Sequence, residues 1–129
     1  MHEWRNHTAE IELRVVAPSE EQVFAEAADA FGRYIELDRT GEPARHDLDL
    51  EADDRGALLV ALLEELIYLA DTEGFVPDRI DVHLDARRLA GVTDGRRTQI
   101  DPIVKAATYH GLRFERDGDA WEARVVFDV

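Results

Sequence analysis

Leu58-Leu59-Val60-Ala61-Leu62-Leu63-Glu64-Glu65-Leu66-Ile67-Tyr68-Leu69-Ala70-Asp71 is the most apolar stretch of the chain. Its apolar residues leave only a narrow stripe of Glu64, Tyr68 and Asp71 at i, i+4 and i+7, so the segment reads as a helix covered over most of its circumference. Asp53 or Asp54 is placed to cap its start and Gly74 to close it. Ahead of it, Ile11, Leu13 and Val15 alternate with Glu10, Glu12 and Arg14, the period of a half-buried strand that Ala17-Pro18 ends. Ser19 with Gln22 reads as a capping box. Val23, Phe24, Ala27, Phe31, Tyr34 and Ile35 then recur at helical spacing, predicting a helix over 19–37. The polar stretch Asp38 to Arg45 reads as a loop and His46 to Leu50 as a second strand.

Beyond Pro77 the period changes to two. Ile80, Val82 and Leu84 alternate with Asp81, His83 and Asp85, and Leu89 to Val92 returns antiparallel before a turn at Asp94-Gly95. Val104 to Glu115 alternates again, Asp117-Gly118 supplies a hairpin turn, and Trp121, Ala123, Val125 and Phe127 form the last strand. The order strand, helix, strand, helix, then a set of strands predicts an α+β fold, with two helices packed on a largely antiparallel or mixed β-sheet.

At 129 residues the chain has the length of one domain, 1–129. It contains no cysteine, which excludes disulfides, thiolate metal sites and cysteine nucleophiles and suits a cytoplasmic protein. No segment has the apolar length of a membrane span, and Met1-His2-Glu3-Trp4-Arg5 is too polar for a signal peptide. The net charge of −14 repels phosphate backbones, so direct nucleic-acid binding is not expected, and a cation or a basic protein surface is the natural partner. The acidity also fits a salt-adapted organism or one with a G/C-rich genome.

Of the 15 basic residues only Lys105 is a lysine. A lysine is a compact point charge on a flexible stem, whereas arginine is a planar fork, so one lysine among arginines marks a place where a point charge is useful. Codon bias would also produce it. Lys105 shares a strand face with Ala107, Tyr109 and Arg113, where its ammonium can meet a carboxylate or phosphate, or run along Tyr109 to solvent. His110 is a donor or acceptor within the physiological pH range.

His7-Thr8-Ala9-Glu10 precedes the first strand and Asp128-Val129 ends the last. If those strands pair, Glu10, Asp128 and the terminal carboxylate converge. Oxygen donors of that kind suit Ca²⁺, Mg²⁺ or Mn²⁺ rather than zinc, with His7 nearby as donor or occasional ligand. A frayed, solvated strand end is the alternative. Arg87-Arg88 and Arg96-Arg97 are isolated pairs without interleaved aromatics, so they do not read as an RNA-binding patch. No phosphate-cradling or zinc-hydrolase motif is present, and Ser19, the only serine, serves as a cap rather than a nucleophile.

His7-Thr8-Ala9-Glu10, the helix end Glu65-Leu66-Ile67-Tyr68-Leu69, the run Val104-Lys105-Ala106-Ala107-Thr108-Tyr109-His110-Gly111-Leu112 and the terminal Val125-Val126-Phe127-Asp128-Val129 together resemble the archease family, in order and over nearly the whole chain. The resemblance implies a protein that is not an enzyme: a cofactor of the RtcB-type RNA ligase, promoting its guanylylation and turnover in tRNA splicing and RNA repair. It also implies a divalent-metal site of Glu10, Asp128 and Val129 and a functional role for Lys105. Three positions depart from the family pattern. Glu10 replaces an aspartate, Glu64 an asparagine, and Ile103 a glutamate. A domain of this fold that has lost the ligase and acts as an acidic adaptor or chaperone-like module is the second reading. A small metal-dependent phosphohydrolase with Lys105 as phosphate clamp is the third, weakened by the lack of a general base or second metal cluster.

Overall fold

The computed structural model describes residues 1–7, 9–101 and 103–129, and of Asn6 and His7 the backbone alone. Seven strands and two helices follow in the order β1 (His2–His7), β2 (Glu10–Ala17), α1 (Glu20–Ile35), β3 (Glu42–Glu51), α2 (Arg55–Glu73), β4 (Phe75–Leu84), β5 (Arg88–Arg97), β6 (Ala106–Asp117) and β7 (Ala120–Asp128). The α+β class is as the sequence predicts, but the strands divide into two sheets. One has the order β1-β2-β7-β6 and the other β3-β5-β4, and the strand pairings are antiparallel.

Local chemistry accounts for both helices. Ser19 caps α1, its Oγ accepting the Gln22 N–H at 3.2 Å while its hydroxyl donates to Gln22 Oε1 at 3.0 Å. Asp54 caps α2 by accepting the Ala57 N–H at 2.8 Å, and Gly74 closes it in the left-handed conformation. Leu58, Leu59, Val60, Leu62, Leu63, Leu66 and Ile67 are all buried. A helix apolar on nearly every side must be covered on nearly every side. Accordingly α2 touches both sheets, packing on β6 from one and on β3, β4 and β5 from the other, while α1 packs on β4, β2 and β7. The common core joins Phe24 and Phe31 of α1 to Leu13 and Phe127 of the larger sheet and Leu48 and Leu89 of the smaller.

Four expectations are corrected. β1 carries only Trp4 as an apolar signal, yet it pairs with β2 along its whole length, and Trp4 meets Tyr34 edge-on at 4.5 Å. β3 begins at Glu42, inside the expected loop; Pro43 is tolerated because β3 is an edge strand and needs no donor there. Asp94-Gly95 makes no turn, since β5 runs through it to Arg97. Gly95 is buried against the Val76 carbonyl and the Phe75 ring, which leave no room for a Cβ, so its use is close approach rather than reversal. Finally, regular pairing of β6 is interrupted: from Thr108 to Arg113 it advances five residues while β7 advances two, from Val126 to Arg124. The extra residues form a bulge with Gly111 at φ 66°, a conformation that a Cβ disfavours. The Asp117-Gly118 hairpin is as expected, with Asp117 paired to Ala120.

Candidate functional site

β7 is a central strand, flanked by β2 and β6, so its last residue is held from both sides. In register, Asp128 faces Glu10 of β2 on one side and Ala106 of β6 on the other. Two hydrogen bonds extend this order past the strand ends. Lys105 N–H donates to the Asp128 carbonyl at 2.8 Å, and Val129 N–H donates to the Ala9 carbonyl at 3.2 Å. The final strand end is therefore clamped, not frayed. Ala9 itself adopts φ 57°, a left-handed conformation costly for a residue with a Cβ, and it is this turn that sets its carbonyl beside Val129.

Backbone pairing thus brings Glu10, Asp128, Val129 and Lys105 to one corner of the larger sheet, at the ends of three adjacent strands. Asp128 and Lys105 are exposed and Glu10 is half-buried. Like charges directly opposite on paired strands destabilise each other, and among the described residues no oppositely charged side chain is joined to either carboxylate or to the ammonium. A pair of carboxylate oxygens without a counter-charge fits a hard cation by ligand type. Among the described residues no three side chains of His, Asp or Glu form such a cluster, so a third protein donor would have to come from Val129. His7 lies opposite Glu10 along the backbone, but its side chain is outside the described residues. His110 is not part of this corner; it is exposed in the β6 bulge, beyond Thr108.

The rest of this face is differently arranged. Four and six residues back along β7 in the same alternation as Asp128, Arg124 and Glu122 form part of a paired network: Glu122 accepts from Arg14 at 3.1 Å and from Arg124 at 2.8 Å. Burial pushes the Glu122 carboxyl up, but those two arginines together outweigh it and hold the group below the usual carboxylate range.

Glu64, which the sequence placed in the polar stripe of α2 and among the departures from the family pattern, is a neighbour of this corner. Its Oε1 accepts the Ala107 N–H at 3.1 Å, satisfying an edge-strand donor two residues from Lys105. The helix thereby fixes the position of the strand that carries the lysine. The signal available in sequence was its spacing with Tyr68 and Asp71, which gives a face of the helix but not what that face touches.

The sequence matches the model of the Archease protein family (MTH1598/TM1083) over residues 2–129. It is 31% identical to the protein archease of Pyrococcus furiosus, over the full length of both chains. It is 29% identical to that of Methanosarcina barkeri, covering 99% of this chain and 95% of the relative. Among solved structures it is similar to protein 1598 of Methanobacterium thermoautotrophicum, with a TM-score of 0.78 at 25% identity, covering 99% of this chain and 98% of that one. It is also similar to an archease from Thermotoga maritima described as a possible chaperone, with a TM-score of 0.67 at 27% identity, covering 100% and 98%.

Proposed function

Since the chain belongs to the archease family, we propose that it is a non-enzymatic, cation-binding activator of an RtcB-type RNA ligase, promoting the ligase's guanylylation and turnover in tRNA splicing or RNA repair. The observation that carries this reading is the convergence of Lys105 with Glu10, Asp128 and Val129 on three adjacent strands, with their charges unpaired. Glu10, Asp128 and Lys105 come together from three strands without a counter-charge among the described residues, which leaves them available to another molecule.

Glu10, Asp128 and the Val129 carboxylate would hold a divalent cation such as Ca²⁺, Mg²⁺ or Mn²⁺. Once bound, the ion supplies a positive charge that attracts anionic oxygen ligands of a partner. Lys105 supplies a second, mobile positive charge beside it, suited to a phosphate or carboxylate oxygen. Backbone pairing of three strand ends holds these groups, with the Glu64 side chain fixing the β6 end. The overall charge of −14 argues that RNA is met by the ligase rather than by this protein.

Guanylylation and multiple-turnover ligation by an RtcB-type ligase are the measurements to make, with the protein added and omitted. The proposal expects stimulation by the wild type and its loss, more than about tenfold, with Lys105→Ala or Asp128→Ala, a loss of at least about 1.4 kcal/mol of transition-state or binding stabilisation. Equal stimulation by wild type and both variants would remove the site, and no stimulation by wild type would remove the function.

A further inference from the structure

Four strands end the two sheets, β1 and β6 in the larger, β3 and β4 in the smaller. An open edge offers unpaired N–H and C=O groups to any other strand, and folded proteins blunt such edges with proline, bulges, charge or cover. Three of these edges are blunted. β3 carries Pro43 and exposes Arg45, Asp47, Asp49 and Glu51, one cation against three anions. β4 carries Pro77 beside a shift of register. β6 is interrupted between Thr108 and Arg113, and Glu64 Oε1 already occupies its Ala107 N–H. β1 has none of these devices. It contains no proline or glycine, pairs with β2 without a break, and balances Glu3 against Arg5 on a chain of net charge −14.

The hydrogen bonds show which groups of β1 are free. Met1 and Val16 exchange both backbone bonds, the Met1 nitrogen donating to the Val16 carbonyl at 3.2 Å and the Val16 N–H to the Met1 carbonyl at 2.9 Å. Antiparallel pairs alternate, so Glu3, Arg5 and His7 also bond to β2, while His2, Trp4 and Asn6 turn their N–H and C=O groups to the open side. A second strand must therefore bond to the even-numbered residues. Laid antiparallel on its own copy about a two-fold axis, β1 meets this condition with Trp4 opposite Trp4, His2 opposite Asn6 and Glu3 opposite Arg5. Glu3 and Arg5 then fall at non-hydrogen-bonded positions, where opposed Cα atoms are only about 4.5 Å apart and side chains meet most closely. The neighbouring registers that keep the bonds set Glu3 against Glu3 or Arg5 against Arg5, and like charges so opposed repel.

We infer that the β1 edge is a docking surface for a second copy of this chain, joining two four-stranded sheets into one through an isologous antiparallel β1 pair. Charge complementarity selects this occupant: an edge reading Glu-x-Arg asks for a strand that reads Glu-x-Arg in the opposite direction, and β1 is itself that strand. Glu3 and Arg5 bond to each other within the chain at 2.8 Å, but they are 43% and 49% exposed, and a contact of that kind is readily exchanged for its equivalent across the axis. On the other face of β1, Trp4 packs on Tyr34 and Phe127 yet is only partly buried, and its own copy covers it further. Because His7 is opposite Glu10, the two-fold axis sets the two Glu10–Asp128 corners at opposite ends of the joined strands. An interface one strand wide is small, so the dimer is weak and depends on concentration.

Sedimentation equilibrium of the full-length chain at about 0.15 M salt, where charges more than about 8 Å apart are screened, tests this with wild type, Asn6→Pro, Arg5→Ala and Arg45→Ala. Asn6→Pro removes an N–H that points away from β2, where an edge strand tolerates proline. Arg45→Ala removes a cation from the β3 edge and is the control for net charge. Wild type should approach twice the chain mass as concentration rises toward about 1 mM. Asn6→Pro and Arg5→Ala should each weaken the dimer about fivefold or more, Arg45→Ala should behave as wild type, and all four should melt alike when dilute. A second measurement reads the register. The chain has no cysteine, so Glu3→Cys mixed with Arg5→Cys sets one thiol of each chain within disulfide reach, and the mixture should oxidise to a mixed dimer faster than either variant alone. A wild type that stays monomeric throughout overturns the inference, as does a dimer that Asn6→Pro and Arg5→Ala leave intact. Equal weakening by Arg45→Ala, or a mixed disulfide that forms no faster than the self-disulfides, overturns the assignment to β1 in this register.

Discussion

The smaller sheet and one corner of the larger use their charges in opposite ways. On the smaller one, charges are spent on each other: Arg88 forms a two-pronged pair with Asp49 at 2.8 and 2.9 Å, and Arg45 faces Asp94 at 3.3 Å. Arg96 goes further. It reaches Asp78 at 2.9 Å, Glu36 at 2.9 Å and the Asp38 carbonyl at 2.8 Å, tying β5 to β4 and to the end of α1. At the corner of the larger sheet, Glu10, Asp128 and Lys105 are brought together by backbone register and have no oppositely charged partner among the described residues. On the proposed reading, the paired charges hold the fold, and those gathered unpaired at this corner serve something outside the molecule.

The first way to break this comparison is Arg96→Ala. It removes three contacts from a guanidinium whose side chain is only 14% exposed, and leaves Glu36 and Asp78 without it. We expect a loss of about 2–3 kcal/mol, read from the midpoint of urea unfolding. An unchanged midpoint would mean that the pairing on the smaller sheet is ornamental.

The corner should respond to a cation instead. A divalent ion that binds only the folded chain stabilises it by about 2.7 kcal/mol at a free concentration of about 100 Kd. Titrating Ca²⁺, Mg²⁺ and Mn²⁺ while recording the melting temperature should therefore give a concentration-dependent rise with at least one ion. Asp128→Asn should abolish that rise. Without the ion the same substitution should change stability by less than about 0.5 kcal/mol, as is usual for exposed positions. A rise that survives Asp128→Asn would put the ion elsewhere.

Acid offers a third comparison, within the larger sheet. The Glu122 carboxyl is held below its ordinary range when folded, so the unfolded chain takes up its proton first as pH falls. Its contribution to stability is full above the unfolded value of about 4.3 and is lost as pH drops through the lower folded value. Glu122→Gln should cost about 1–2 kcal/mol at neutral pH and flatten the stability curve below pH of about 4. A variant whose acid limb matches the wild type would show that Arg14 and Arg124 do not hold this group.

The sequence made the interior legible because its signals are local. The cap residues Ser19 and Asp54, the αL residue Gly74, the all-round apolar helix and the Asp117-Gly118 hairpin each act through neighbours within a few positions. The carboxylate corner was legible only as a condition, since it depends on β2 pairing with β7 in the one register that sets Glu10 against Asp128. Pairing of strands far apart in sequence is set by tertiary packing and register. β1 escaped notice because five of its six residues are polar, and the division into two sheets because α2 gives no hint of which strands cover which side. The Asp94-Gly95 pair carried a true turn signal that packing overrode.

The most direct test sets one charge from each region side by side. Stimulation of an RtcB-type ligase through repeated turnovers should be measured with wild type, Lys105→Ala and Arg88→Ala at a temperature where all three are folded. The unpaired lysine should prove necessary, its variant losing more than about tenfold of the stimulation with an unchanged melting temperature. Arg88→Ala should stimulate as the wild type does. Full stimulation by Lys105→Ala, or equal losses from both variants, would contradict the assignment of function to the unpaired corner.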